Sequence, residues 1–156
     1  MIDQVLAELG RQGRTLAVAE SLTGGALAAS IVSVPGASQV FLGGVVAYAT
    51  AAKADVLGVN PGLLADQGAV DPAVAVSMAA RVAAIFGADV GAATTGVAGP
   101  EPQEGKPPGT VFIAVVDVAA GRTLERELTL RGDRNAIRAA TVAAAVTLIG
   151  QVSGIR

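Results

Sequence analysis

Between residues 16 and 34 the chain passes from a short apolar run, Leu16-Ala17-Val18-Ala19, through Glu20-Ser21-Leu22-Thr23-Gly24-Gly25 into a second apolar segment. The first run is too short for a helix and shows no polar alternation, so it reads as a strand buried on both faces. The second reads as the helix that follows. A strand buried in this way needs helices on each side of its sheet, and the rest of the chain supplies them. Ile2, Val5, Leu6 and Leu9 follow helical spacing and are closed by glycines 10 and 13. The strand spans 14–20 and the next helix 23–34. After a turn at Pro35-Gly36, residues 41–50 read as a second strand, with Gly43-Gly44 as a possible bulge. A short helix over 51–57 is stopped by Gly58 and Asn60-Pro61-Gly62. Asp71 and Pro72 start a longer helix to residue 86. Residues 89–95 form a third strand and 96–109 a loop dense in glycine and proline. Residues 110–118 and 122–130 form an antiparallel hairpin. Asp133 caps a last helix with the stripe Ile137, Ala140, Thr141, Ala144, Ala145 and Leu148. Strands interleaved with helices and closing on a hairpin give an α/β architecture with a mixed sheet covered on both faces.

The 156 residues are expected to form one domain, 1–156, with a proper core. Apolar residues make up 52% and charged residues 15%. That excludes disorder, and a chain so rich in alanine and poor in charge is expected to hide more surface in a homo-oligomer. A net charge of −2 argues against direct nucleic-acid binding. The uncharged stretch 21–52 is long enough to raise a membrane question. Pro35-Gly36 breaks it, so a core helix, turn and strand explain it better, and no membrane contact is expected. The N-terminus, Met-Ile-Asp-Gln, lacks the basic and apolar regions of a signal peptide. A cytoplasmic location is expected.

With no cysteine and no histidine, the chain lacks thiol nucleophiles, thiolate metal sites, most zinc sites and the Ser-His-Asp triad. Ser21, at a strand-to-helix corner beside two glycines, is then either a helix N-cap or a nucleophile. Thr23 can cap in its place. The amide groups of Thr23, Gly24 and Gly25 at the helix start can hold an oxyanion or phosphate. With only two lysines available, Lys53 is the leading partner for Ser21 if burial disfavours its ammonium form; otherwise it is a solvated surface residue. Tyr48, the single tyrosine, lies five residues before it. It packs in the core or belongs to a site. Thr95, Gly96 and Gly99 open a loop of the kind that lines crevices at strand ends. Arg131, Arg134 and Arg138 crowd the start of the last helix, where cations oppose the macrodipole. They recognise an anion or pair with Glu125 and Glu127.

Taken together, Ala19-Glu20-Ser21 with Thr23-Gly24-Gly25, Val34-Pro35-Gly36-Ala37-Ser38, Gly43-Gly44-Val45-Val46-Ala47-Tyr48 with Lys53, Gly68-Ala69-Val70, Thr95-Gly96-Val97-Ala98-Gly99-Pro100, Pro108-Gly109-Thr110-Val111 and Gly132-Asp133-Arg134 with Arg138 resemble the C-terminal domain of the CinA competence- and damage-inducible proteins, the nicotinamide-nucleotide amidase family. The resemblance covers nearly the whole chain, in order. It implies a three-layer α/β/α sandwich with a mixed sheet and usually self-association. It also implies metal- and cofactor-independent hydrolysis of the carboxamide of nicotinamide mononucleotide to the acid nucleotide and ammonia, in pyridine-nucleotide salvage. On this chain Ser21 is then the nucleophile, Lys53 its base and Tyr48 their neighbour in the catalytic group. Arg138, ahead of Arg134, orients the substrate or its phosphate. The alternative is a non-catalytic nucleotide-binding or regulatory module tied to competence or DNA damage.

Three positions depart from the family pattern. Leu22 stands where cysteine is common, and Asp71 where serine is frequent. Residues 101–105 read Glu-Pro-Gln-Glu-Gly where the family is richer in glycine. Two carboxylates there are expected to weaken binding of an anionic substrate.

Overall fold

A computed structural model describes residues 1–155. Its elements are α1 (Ile2–Arg11), β1 (Leu16–Glu20), α2 (Ala26–Val32), a short 3-10 turn (Ala37–Gln39), β2 (Phe41–Val46), α3 (Thr50–Asp55), α4 (Pro61–Gln67), α5 (Pro72–Phe86), β3 (Val90–Gly96), β4 (Thr110–Asp117), β5 (Arg122–Thr129) and α6 (Arg134–Val152). The five strands form one mixed sheet in the order β2-β1-β3-β4-β5. β1 pairs parallel with both β2 and β3, β4 runs antiparallel to β3, and β5 completes the expected hairpin from Thr110↔Thr129 to Asp117↔Arg122.

Helices cover both faces, so the architecture is the expected three-layer α/β/α sandwich. Alternation along β1 sorts its side chains between two cores. Leu16 and Val18 join Leu9 of α1, Leu27 and Ile31 of α2 and Ile137, Leu148 and Ile149 of α6. Ala17 and Ala19 face Val74, Met78 and Val82 of α5. On that second face small residues let the helix approach closely: a Cβ on Gly91 would lie 2.0 Å from the Ala79 carbonyl oxygen. By length and composition α6 could cross a bilayer. Here its apolar stripe is part of the first core, against the sheet, α1 and α2.

Sequence and structure differ at four places. Helix α2 begins at Ala26 rather than Thr23, because Gly24 and Gly25 take φ of +57° and +99°, a left-handed conformation outside any helix. Strand β2 ends at Val46, so Tyr48 lies in the loop before α3 and not on the strand. The register shift falls opposite Leu16/Ala17, just before the glycines. Gly43 is there because the Phe86 ring of α5 lies where its Cβ would be. Helix α4 was not foreseen. Asn60-Pro61 reads as a stop, but Asn60 is an N-cap whose Oδ1 accepts the Gly62 N–H, with Pro61 at the first helical position.

Candidate active site

From β1 the chain first crosses by α2 to β2 on one side. It then returns by α3, α4 and α5 to β3 on the other side. The C-terminal end of β1 is therefore the point where the strand order reverses, the usual place of a ligand crevice in an open α/β sheet. Ser21 is the first residue beyond that end. A cleft of about 590 Å³ opens there, lined by Ser21, Tyr48, Lys53, Thr95 and Arg134 together with residues 69–70 and 96–103.

Lys53 sits in the last turn of α3 and is only 1% exposed. Its Nζ lies 2.9 Å from Ser21 Oγ, 2.9 Å from the Ala47 carbonyl oxygen and 3.4 Å from that of Tyr48. Burial pulls its pKa down from 10.5 to about 8, and the charge of Glu104 opposes the shift. All three neighbours are oxygen acceptors, so the ammonium donates to Ser21 Oγ and to both carbonyls; once deprotonated, the amine keeps two N–H groups for the carbonyls and has a lone pair for the serine hydroxyl. Ser21 is itself buried, and its N–H donates to Thr94 O at 3.0 Å.

The corner around Ser21 is built differently from the expectation. Neither Ser21 nor Thr23 caps α2. Thr23 is buried, with its Oγ1 2.8 Å from Thr94 Oγ1. The first amide of α2, that of Ala26, donates to Thr23 O, and the next two are taken by Glu20, whose carboxylate accepts from Leu27 N–H at 2.8 Å and Ala28 N–H at 3.0 Å. The helix start is therefore occupied by the chain's own carboxylate rather than open to an oxyanion or phosphate. Thr23, Gly24 and Gly25 do not line the cleft, whereas Leu22 does. Among the described residues the Leu22 and Thr23 N–H groups have no hydrogen-bond partner.

The two arginines part company although they share a face of α6. Arg134 lines the cleft, donating to Gly99 O at 2.7 Å and to the Tyr48 hydroxyl at 2.9 Å. Arg138 points to the Ser21 corner instead, donating to Leu22 O and Thr23 O at 3.0 Å each. It does not line the cleft, so the order expected from the sequence is reversed. Neither arginine pairs with Glu125 or Glu127; the carbonyls of the corner and loop take their place.

Thr95, Gly96 and Gly99 all line the cleft. Thr95 Oγ1 donates to Ala69 O at 2.7 Å. Gly96 is required because Thr110 O lies 2.7 Å from where its Cβ would be. Of the two carboxylates in the departing loop, Glu101 lines the cleft. Glu104 turns to the backbone, accepting from Ala69 N–H at 3.0 Å and Val70 N–H at 3.2 Å. Burial raises its pKa, but those two amides and the charge of Lys106 outweigh that and hold it below its ordinary value. Its role is to tie the loop to the 69–70 segment, and Gly68 leaves the space for it. The sequence reading passed over both Glu20 and Glu104 as structural ties. Glu20 could have been noticed as a charged residue ending a buried strand, as Asp117 is at the end of β4. Glu104 gives no such signal, since its partners lie 34 and 35 positions away. Among the described residues no three acidic side chains converge to hold a metal ion.

Comparison with known proteins places the chain in a family. The sequence profile of the CinA C-terminal domain matches residues 1–153. A CinA-like protein of Frankia casuarinae is 51% identical over 145 residues, covering 93% of this chain and 33% of the relative. One of Geobacter metallireducens is 46% identical over 147 residues, covering 93% and 35%. The chain thus spans about a third of the length of these curated relatives. A crystal structure of a CinA superfamily protein from Klebsiella pneumoniae superposes with a TM-score of 0.92 at 33% identity, over 97% of this chain and 95% of that one. A competence/damage-inducible protein from Agrobacterium tumefaciens gives 0.91 at 32% identity, over 97% and 94%. The chain belongs to the CinA C-terminal domain family.

Proposed function

We propose that the cleft hydrolyses a carboxamide by serine–lysine acyl transfer. The observation that carries this reading is the 2.9 Å approach of Lys53 Nζ to Ser21 Oγ at a buried position. A serine hydroxyl is a weak nucleophile unless a base takes its proton, and an amine acts as that base in its neutral form, which burial brings within reach by lowering the pKa to about 8. In the first step the hydroxyl proton passes to Lys53 and Oγ bonds to the amide carbon. The oxyanion meets the free N–H of Leu22; losing one such donor typically costs about 3 kcal/mol. Lys53 then returns the proton to the departing nitrogen, the C–N bond breaks, and ammonia leaves an ester on Ser21. Water attacks the ester with Lys53 again as base, releasing the carboxylic acid and restoring the hydroxyl.

The proposed substrate is nicotinamide mononucleotide, giving the acid nucleotide in pyridine-nucleotide salvage. Three features support this finer reading: the family resemblance, a cleft of mononucleotide size, and Arg134 at its mouth. Arginine clamps phosphate with paired N–H bonds, and Tyr48 supports Arg134 from the side. A nucleotide substrate and a chain without cysteine both favour the cytoplasm. Self-association is proposed through the uncharged β2 edge, where Leu42 and Val46 are exposed, and sedimentation measures it.

The test is ammonia release from nicotinamide mononucleotide, its riboside and free nicotinamide. Release from the nucleotide in strong preference to the riboside is expected. Saturable nucleotide binding with no ammonia at any pH up to 9 would overturn the enzymatic reading.

A further inference from the structure

Glu20 is a buried carboxylate that the mechanism above does not use. It is 1% exposed, and no arginine or lysine pairs with it among the described residues. Its two oxygens are spent on the first turn of α2, accepting from Leu27 N–H and Ala28 N–H. Its backbone carbonyl faces the other way and accepts from Ala47 N–H at 2.9 Å. The Ala47 carbonyl in turn accepts from Lys53 Nζ at 2.9 Å. One residue therefore joins the helix beyond the nucleophile to the loop that holds the base.

The corner needs such a tie. Between Glu20 and α2 the chain runs through two left-handed glycines, and the helix N-cap, Gly25, has no side chain to cap with. Left to the backbone alone, residues 21–25 would keep the freedom that glycine brings. Ser21 would then be placed by two main-chain bonds, its N–H to Thr94 O and the Gly24 N–H to its own carbonyl, while Thr23 and Arg138 grip the middle of the corner. The carboxylate fixes the far end of the corner and the main chain fixes the near end.

We propose that Glu20 is a positioning residue of the Ser21–Lys53 pair, holding the far end of the nucleophile's corner by its side chain and the base's loop by its carbonyl. The proposal rests on reading Ser21 as a nucleophile but not on the identity of the amide. Glu20→Gln is the direct probe, because an amide nitrogen turned toward an N–H donor breaks one of the two bonds while conserving shape. Displacing a reacting atom by about 1 Å typically lowers a rate by about 10²-fold.

The experiment follows two rates in the parent and the variant. One is ammonia release from the nucleotide. The other is labelling of Ser21 by a fluorophosphonate, read by intact mass and peptide mapping. In that labelling the Oγ–P bond forms, fluoride leaves, and the hydroxyl proton passes to Lys53. For Glu20→Gln, kcat and the labelling rate should fall together by about 30- to 100-fold, with KM within about threefold of the parent. Ala28→Pro approaches from the donor side: proline is tolerated in the first helical turn and removes the N–H that one Glu20 oxygen accepts. It should slow labelling by about tenfold, with the Glu20 side chain intact. Labelling at the parent rate in folded Glu20→Gln overturns the proposal. If that variant does not fold, parent-rate labelling in Ala28→Pro does the same. A KM rise as large as the kcat fall also overturns it, being the mark of a loosened cleft. A parent that labels at Ser21 but releases no ammonia overturns the amide reaction alone, and the labelling ratio still decides for Glu20. A parent that never labels at Ser21 overturns both.

Discussion

The two walls of the cleft see very different amounts of water. On one side Ser21 and Lys53 are 7% and 1% exposed, and Thr95 is equally hidden. On the other, Tyr48 is 61% exposed and Arg134 reaches it across the cleft mouth from solvent. The dry wall is held by main-chain acceptors and packed helices; the wet wall is a hydrogen bond between two long side chains and a loop carbonyl. Desolvation lowers the pKa of an amine and so raises the share of it that can act as a base. An anion arriving from water needs a cation that is still hydrated and accessible. The difference assigns chemistry to one wall and recognition to the other, and each assignment can be broken separately.

The largest effect is expected on the dry wall. Ser21→Ala and Lys53→Met should each lower ammonia release by at least about 10³-fold, as loss of a nucleophile or its base does elsewhere. Their effects should not multiply, because neither group works without the other. Lys53→Met should also raise the melting temperature at pH 7, since it removes a charge-bearing group from a buried position. Calorimetry beside the activity assay checks both. A Lys53→Met protein that is inactive and less stable would place Lys53 in the fold rather than in the chemistry.

Next in size is the pH dependence of the same amine. The rate should fall about tenfold per pH unit below a pKa near 8, because only the neutral amine accepts the proton. Stability carries the same signature. The folded pKa lies below the unfolded value, so between about 8 and 10.5 the unfolded chain binds more protons, and stability rises with pH across that window. Below it the penalty of the buried ammonium is fully present, on the order of 3 kcal/mol. Urea melts of the parent at pH 7 and 9.5 should show that rise, and Lys53→Met should remove it. A flat comparison would mean that Lys53 is hydrated like the other wall.

How much of this was legible beforehand follows the same division. Apolar runs and caps placed ten of the eleven strands and helices, because they report burial along the chain. Helix α4 was missed because Asn60-Pro61 serves equally as a stop and a start. Ser21 and Lys53 could be named from what the composition lacks, together with their position beside strand ends. Their proximity could not, since it depends on the way the crossovers diverge from β1. The wet wall was harder. Arg134 and Arg138 lie one helical turn apart and look alike in sequence. Only the carbonyls of Leu22 and Thr23 draw one away from the cleft, and those carbonyls lie just before the left-handed glycines that delay α2. Main-chain acceptors leave no pattern in the residue order.

Arg134→Ala probes the wet wall directly. Because Arg134 touches the cleft mouth and not the pair, KM for the nucleotide should rise by about 10- to 50-fold, within the range of a lost charge-assisted contact. kcat should change by less than about threefold, and the riboside should be unaffected. Steady-state kinetics with the two substrates separate these terms. Arg138→Ala should leave KM nearly unchanged and lower the melting temperature, since its two carbonyl partners are structural.

The smallest effect is expected at Tyr48, where the two walls meet. Its carbonyl oxygen lies 3.4 Å from Lys53 Nζ, while its hydroxyl accepts from Arg134. Tyr48→Phe removes only the second contact, leaving the main chain and the ring in place. Arg134 keeps its bond to Gly99 O, so its guanidinium loses one of two anchors rather than its position. At an exposed site such a bond is easily replaced by water, and KM should rise only about two- to threefold with kcat unchanged. In Arg134→Ala the same change should have no further effect, because the hydroxyl then has nothing to support, and that non-additivity is the sharper measurement. A 10²-fold fall in kcat for Tyr48→Phe at constant KM would move the phenol from recognition into the chemistry, and the boundary between the walls would have to be redrawn through the cleft mouth.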